Sequence, residues 1–167
     1  MKRLTLFRHA KSSWNDPGLP DNERPLSSRG ARDAPVMAAR LASRGERPGL
    51  ILTSHAVRAM TTARALATGL GSPGEAIRVD RRLYLAAPRV LLDVLREQDD
   101  ADLHVLVVGH NPGLTDVANR LLPTLAVDNL PTSAVVAIAV DTDRWSQLGP
   151  TVCRLLYYDY PKNAESR

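Results

Sequence analysis

Short apolar runs alternate with helix-forming segments along the chain, and this alternation constrains the fold more than any other feature. Residues 3–8, 50–53, 77–79 and 104–108 read as strands. Helical segments follow them at 28–44, 56–69, 88–97 and 113–122. Two more strands, 134–140 and 152–158, are joined by a turn-rich link that suits an antiparallel edge. The pattern predicts an α/β fold: a three-layer sandwich with a mainly parallel central sheet flanked by helices. No repeat or long linker divides the 167 residues, so a single domain, 1–167, is expected. Pro35 predicts a kink in the first helix, or a regular part beginning after Asp33. Gly69 or Gly71 is placed to end the second helix, and Pro88 to start the third. The residues from Pro161 onward are expected to fray.

The formal charge of +4 is a modest basic excess without any long Lys/Arg run. It suits an anionic substrate and gives nucleic-acid binding little support. One cysteine, Cys153, excludes an internal disulfide and fits a reducing cytoplasm. Met1-Lys2-Arg3 leads straight into a strand without the apolar length of a signal peptide. No apolar run approaches the ~18 residues of a membrane span. A cytoplasmic protein with neither nucleic-acid nor membrane partners is expected.

The chemistry-bearing residues gather at strand ends. Arg8 and His9 close the first strand, and His110 follows the fourth. Arg58 lies just inside the helix after Thr53-Ser54. In open α/β sheets this edge binds ligands. Taken singly, a strand-end histidine is more often structural, an arginine is usually a surface residue, and Ser54 is expected to be a helix N-cap. Together they suit phosphoryl transfer. Neutral imidazole is a nucleophile toward phosphorus. Guanidinium forks bind the equatorial oxygens of a transferring phosphoryl group. The tight turn Asn111-Pro112-Gly113 would present His110 to donate a hydrogen bond to such an oxygen. The Pro-, Gly- and Asn-rich loop 9–27 has functional length. His9, His55, His104 and His110 form no His-x-x-x-His pair, and no Cys-x-x-Cys or P-loop occurs, so neither metal nor cofactor is expected.

In order along the chain, Arg8-His9, Ser54-His55-Ala56-Val57-Arg58-Ala59-Met60-Thr61-Thr62-Ala63 and Val108-Gly109-His110 resemble the three motifs of the histidine phosphatase superfamily, which includes phosphoglycerate mutases and acid phosphatases. The start Arg-His-Ala-Lys-Ser-Ser-Trp and the short length resemble the SixA-like phosphohistidine phosphatases most closely. The resemblance implies that His9 is phosphorylated during turnover, that Arg8, Arg58 and His110 form the phosphate pocket, and that Asn15 contacts phosphate. This chain departs from the mutase-like pattern at Ala10 and Lys11. Leu85 also stands where those relatives carry a proton-donating Glu.

That last departure has chemical content. An alkoxide leaving group needs a general acid, whereas the imidazole of phosphohistidine is readily protonated and needs less help. Asp16, Asp21 and Asp80 are substitute acids to weigh against solvated loop carboxylates. Only about fifty residues separate Arg58 from His110, which leaves little chain for a lid. The expected function is a metal-independent phosphatase acting through a phosphohistidine intermediate, with a phosphorylated protein as partner. A broad phosphomonoesterase taking small phosphorylated molecules and a non-catalytic phosphate-binding regulatory module are the alternatives. A mutase ranks last, because it needs an enclosed site.

Overall fold

Successive residues of each strand face opposite sides of one sheet, and both sides are apolar. In the computed structural model, which describes residues 1–166, six strands pair in the order β3-β2-β4-β1-β5-β6. They are β1 (Lys2–Arg8), β2 (Leu50–Thr53), β3 (Ile77–Val79), β4 (His104–Gly109), β5 (Val135–Val140) and β6 (Cys153–Asp159). The β1–β4, β4–β2 and β2–β3 ladders are parallel, and β5 runs antiparallel to both β1 and β6.

Leu4 and Leu6 of β1, Leu50 and Leu52 of β2, and Val105 and Val107 of β4 share one face. Phe7, Ile51, Leu106 and Val108 share the other. Each face is covered by two helices, which makes three layers. Helices α3 (Pro88–Arg96) and α4 (Gly113–Leu121) cover the first through Leu91, Leu95, Leu114 and Val117. Helices α1 (Ser28–Ser43) and α2 (Val57–Leu70) cover the second through Met37, Leu41, Ala63 and Leu66. Among the described residues no helix is long and apolar enough to cross a membrane.

The chain leaves β1 toward α1 on one face and leaves β4 toward α4 on the opposite face. The C-terminal ends of β1 and β4 therefore border a topological switch point, the crevice where ligands bind in such sheets. Two glycines bring neighbouring segments to this edge. A Cβ on Gly30 would stand 2.1 Å from the Lys11 carbonyl, so the start of α1 packs directly on the loop after β1. A Cβ on Gly113 would stand 1.9 Å from the Ala86 carbonyl, so the segment before α3 packs on the turn after β4.

Three local expectations are corrected. Helix α1 is helical from Ser28 through Pro35 rather than only after Asp33, and Ser27 caps it by accepting the Gly30 N–H at 3.1 Å. Pro35 costs the helix one backbone donor and does not end it. Ser54 is not the N-cap of α2; Ala56 holds that position without a side-chain cap. The segment after β6 does not fray at Pro161. Arg40 donates to the Tyr160 and Pro161 carbonyls at 3.0 and 3.1 Å, and the Asn163 amide donates to Asp159. Gly71 does end α2, in the left-handed region at φ 69°.

Candidate active site

Strand register sets the site. Arg8 pairs with Gly109 across the parallel β1–β4 ladder, so the next residues, His9 and His110, emerge side by side. Their ring centroids are 5.0 Å apart. Thr53 pairs with Val108, which puts Ser54 beside the same edge. Arg58 reaches it from the first turn of α2. Arg8, His9, Arg58 and His110 line a cleft of about 230 Å³, which also opens to Lys11, Trp14, Arg24 and Leu85.

His9 is buried, and its Nδ1 lies 2.8 Å from the Ala10 carbonyl. A carbonyl only accepts, so Nδ1 carries the hydrogen and Nε2 holds the lone pair. Burial pushes the His9 pKa down, the Ala10 bond opposes this, and the charges of Arg58, Arg8 and Arg24 lower it further, to about 4. Burial, the neighbouring His9 and the Arg58 charge take His110 down to about 3, against an opposing pull from Asp21. Both rings are thus neutral near pH 7.

This has a measurable consequence. In a histidine NMR titration, His9 and His110 hold constant shifts between about pH 8 and about pH 5. A midpoint near 6.5 for either ring would contradict the assignment. Below about pH 6.5 the unfolded chain takes up protons on these histidines while the native protein does not. Stability therefore falls as pH drops from about 6.5 toward about 4, and acid titration of the thermal midpoint reads this directly.

His110 Nε2 lies 2.7 Å from Ser54 Oγ, and its Nδ1 lies 3.4 Å from an Arg58 terminal nitrogen. Since Arg58 only donates, Nδ1 accepts and Nε2–H points to Ser54. A hydroxyl can also donate. An oxyanion seated between Arg58 and His110 would favour the other tautomer, with Ser54 donating to Nε2 and Nδ1–H turned to the oxyanion.

Arg8 donates to the Leu130 carbonyl at 2.8 Å and keeps a buried Nε without a protein acceptor. Arg58 donates to the Asp21 backbone carbonyl at 2.7 Å and to its carboxylate at 2.9 Å. Arg24 donates to the same carboxylate at 3.0 Å, and the Tyr84 hydroxyl donates to it as well. Two guanidiniums, Arg58 and Arg24, thus converge on one carboxylate, and Arg8 adds a third positive charge to the cleft, leaving a cationic excess for a phosphoryl dianion.

Of the three carboxylates weighed as acids, Asp21 comes nearest, and it is unsuited to the task. Partial burial raises its pKa, but the bonds from Tyr84 and Arg58 outweigh this and bring it to about 2. It is an anion that orients Arg58. Asp80 is ion-paired to Arg82, and Asp16 accepts the Gly18 N–H on the surface. Leu85 does line the cleft, with its side chain half exposed. Asn15 stands outside the cleft, in an adjoining shallow depression with Ser13 and Ser28. His104 lies at the far end of β4, held 2.9 Å from Thr5 and Glu46. His55 packs on Tyr84. Among the described residues no three His, Cys, Asp or Glu side chains gather as metal ligands.

Sequence reasoning missed the bonding of Ser54, Arg24 and Tyr84. The strand-end rule that singled out His9 and His110 could have singled out Ser54 too. Arg24 carried no signal, because its partners are brought in by loop closure.

The sequence profile of the histidine phosphatase superfamily (branch 1) matches residues 4–84. Protein Rv1276c of Mycobacterium tuberculosis, described as uncharacterised, is 30% identical over 165 residues, covering 93% of this chain and all of that one. A crystal structure assigned as the phosphohistidine phosphatase SixA of Agrobacterium tumefaciens superposes with a TM-score of 0.82 at 27% identity, over 96% of this chain and 98% of that one. A protein histidine phosphatase SixA complexed with tungstate shares the fold, with a TM-score of 0.79 at 19% identity, over 95% and 97% of the two chains.

Proposed function

Because the chain belongs to the histidine phosphatase superfamily, we propose that it is a metal-independent phosphatase that hydrolyses protein phosphohistidine through a phosphorylated His9. The observation that carries this reading is the neutral His9 ring, with Nδ1–H fixed on Ala10 and Nε2 bare beside Arg8 and Arg58.

The lone pair of His9 Nε2 attacks phosphorus as the bond to the leaving group breaks. Positive charge then develops on the His9 ring, and the Ala10 carbonyl stabilises it through Nδ1–H. Arg8, Arg58 and His110 hold the phosphoryl oxygens, where charge is spread in the transition state. The departing imidazole takes a proton from solvent. Water then attacks the phosphoenzyme, the Nε2–P bond breaks, and inorganic phosphate leaves with the proton given up to solvent. Leu85 carries no proton and Asp21 stays ionised, so neither is suited to protonate an alkoxide. That supports a phosphoramidate over a sugar phosphate.

A phosphohistidine peptide, p-nitrophenyl phosphate and a panel of sugar phosphates test this. The peptide is expected to be turned over fastest, and at the same rate with EDTA present. Comparable turnover of the sugar phosphates points instead to a broad phosphomonoesterase. Loss of activity with EDTA defeats the metal-independent reading.

Ser54 is a positioning residue in this scheme. Ser54→Ala lowers kcat about tenfold, the scale of one hydrogen bond to a group gaining charge. Ser54→Thr, which keeps the hydroxyl, retains most of the rate. Steady-state kinetics of the two variants decide it, and an unchanged kcat in Ser54→Ala removes Ser54 from the mechanism.

A further inference from the structure

The cationic cleft has an apolar mouth. Trp14 and Leu85 both line it and are 70% and 53% exposed. Scattered exposed apolar side chains are ordinary, but two on the rim of one anion-binding cleft are not scattered. Each is also held in place. The Arg24 guanidinium lies 3.2 Å from the Trp14 ring centroid. Arg24 is itself fixed by bonds to Ser12, Ser13 and Asp21. Leu85 has φ 47°, in the left-handed region that a branched side chain rarely adopts. The fold thus bears backbone strain at a leucine that gains little burial from it.

Apart from the exposed Lys11, the polar side chains of the rim are already bonded within the protein. Ser12 accepts from Arg24, the Asn111 amide is bonded to Asn129, Leu130 and Thr115, and Thr132 accepts from Arg29. Beside Lys11, what the rim presents is apolar surface around a phosphoryl-sized cationic hole. We infer that Trp14 and Leu85 dock the apolar side chains that flank the phosphohistidine on a protein substrate, a specificity that rests on the phosphatase reading above. The occupant must insert a phosphoryl group into the cleft that both side chains line, so its neighbouring residues meet Trp14 and Leu85.

Three substrates test this with the full chain: phosphoimidazole, a peptide with leucines on both sides of phosphohistidine, and the same peptide with serines there. The wild-type protein is expected to prefer the leucine peptide by about tenfold or more in kcat/KM, the scale of a buried aromatic anchor. In the double variant Trp14→Ser/Leu85→Ser that ratio is expected to fall near one. Equal turnover of both peptides by the wild type, or a preference that survives the double variant, overturns the docking role. If the double variant does not fold, the wild-type ratio alone decides. Turnover of phosphoimidazole without any peptide preference overturns the docking role only. Turnover of none of the three overturns the phosphatase reading and this inference with it.

Discussion

His9→Ala is expected to lower turnover by about 10⁴-fold or more, the scale seen when a covalent nucleophile is removed. The groups proposed to hold the phosphoryl oxygens cannot replace it. The guanidiniums lack a lone pair to give, and the His110 ring has one nitrogen on Ser54 and the other facing Arg58. The folded state should survive, because the imidazole is neutral and its one bond is to the adjacent Ala10 carbonyl. Native circular dichroism alongside the kinetics separates the two effects. A rapid quench should also trap a radiolabelled phosphoenzyme in the wild type, labile to acid and stable to base, and none in the variant. Full activity in His9→Ala, or a label that persists without His9, ends the mechanism proposed here.

Arg58→Lys keeps the charge and is nonetheless expected to lower kcat/KM by about 10³-fold. The guanidinium bridges two sides of the site. One terminal nitrogen donates to the Asp21 backbone carbonyl at 2.7 Å. The other donates to the Asp21 carboxylate at 2.9 Å and lies 3.4 Å from His110. An ammonium is a single point and cannot hold both Asp21 and a phosphoryl oxygen in one plane. The affinity for vanadate should fall in the same variant, since Arg58 is proposed to hold oxyanion oxygens. The loss of its two-pronged hold should also raise the Asp21 pKa from about 2 toward the ordinary 3.8. A Lys variant with wild-type kcat/KM would show that charge alone suffices at this position.

The positions of the strands and helices were legible because each is set by local rules. Alternation along β1, β2 and β4 reports which side of a sheet a residue faces. Gly71 and Pro88 stand at helix ends for reasons of their own backbone geometry. Pro35 shows the limit of such rules. Ser27 capping and burial of Met37 and Leu41 keep α1 whole across a residue that locally argues against it. The chain just past β6 shows the same, because Arg40, distant in sequence, holds the Tyr160 and Pro161 carbonyls.

The site divides along the same line. Arg8, His9, Arg58 and His110 could be singled out from residue type at strand and helix ends, because an open α/β sheet puts those ends at one edge. The neighbouring arginines already argue for a neutral His9, but the burial that contributes most to its low pKa is not legible in the sequence. Ser54 reads as a cap until β2 is laid beside β4, which brings its hydroxyl 2.7 Å from His110. Asp21 reads as a solvated carboxylate until loop closure gives it Arg24, Arg58 and Tyr84.

By itself, then, the sequence determined the order of elements, the family and which residues stand at the ligand-binding edge of the sheet. Only the tertiary structure decided that burial is the main cause of the low His9 pKa, that Asp21 is an anion held by Arg58, Arg24 and Tyr84, and that Ser54 serves His110. Periodicity and turn chemistry act between near neighbours in the chain. Ionisation and hydrogen bonding depend on burial and on charges contributed by segments tens of residues away.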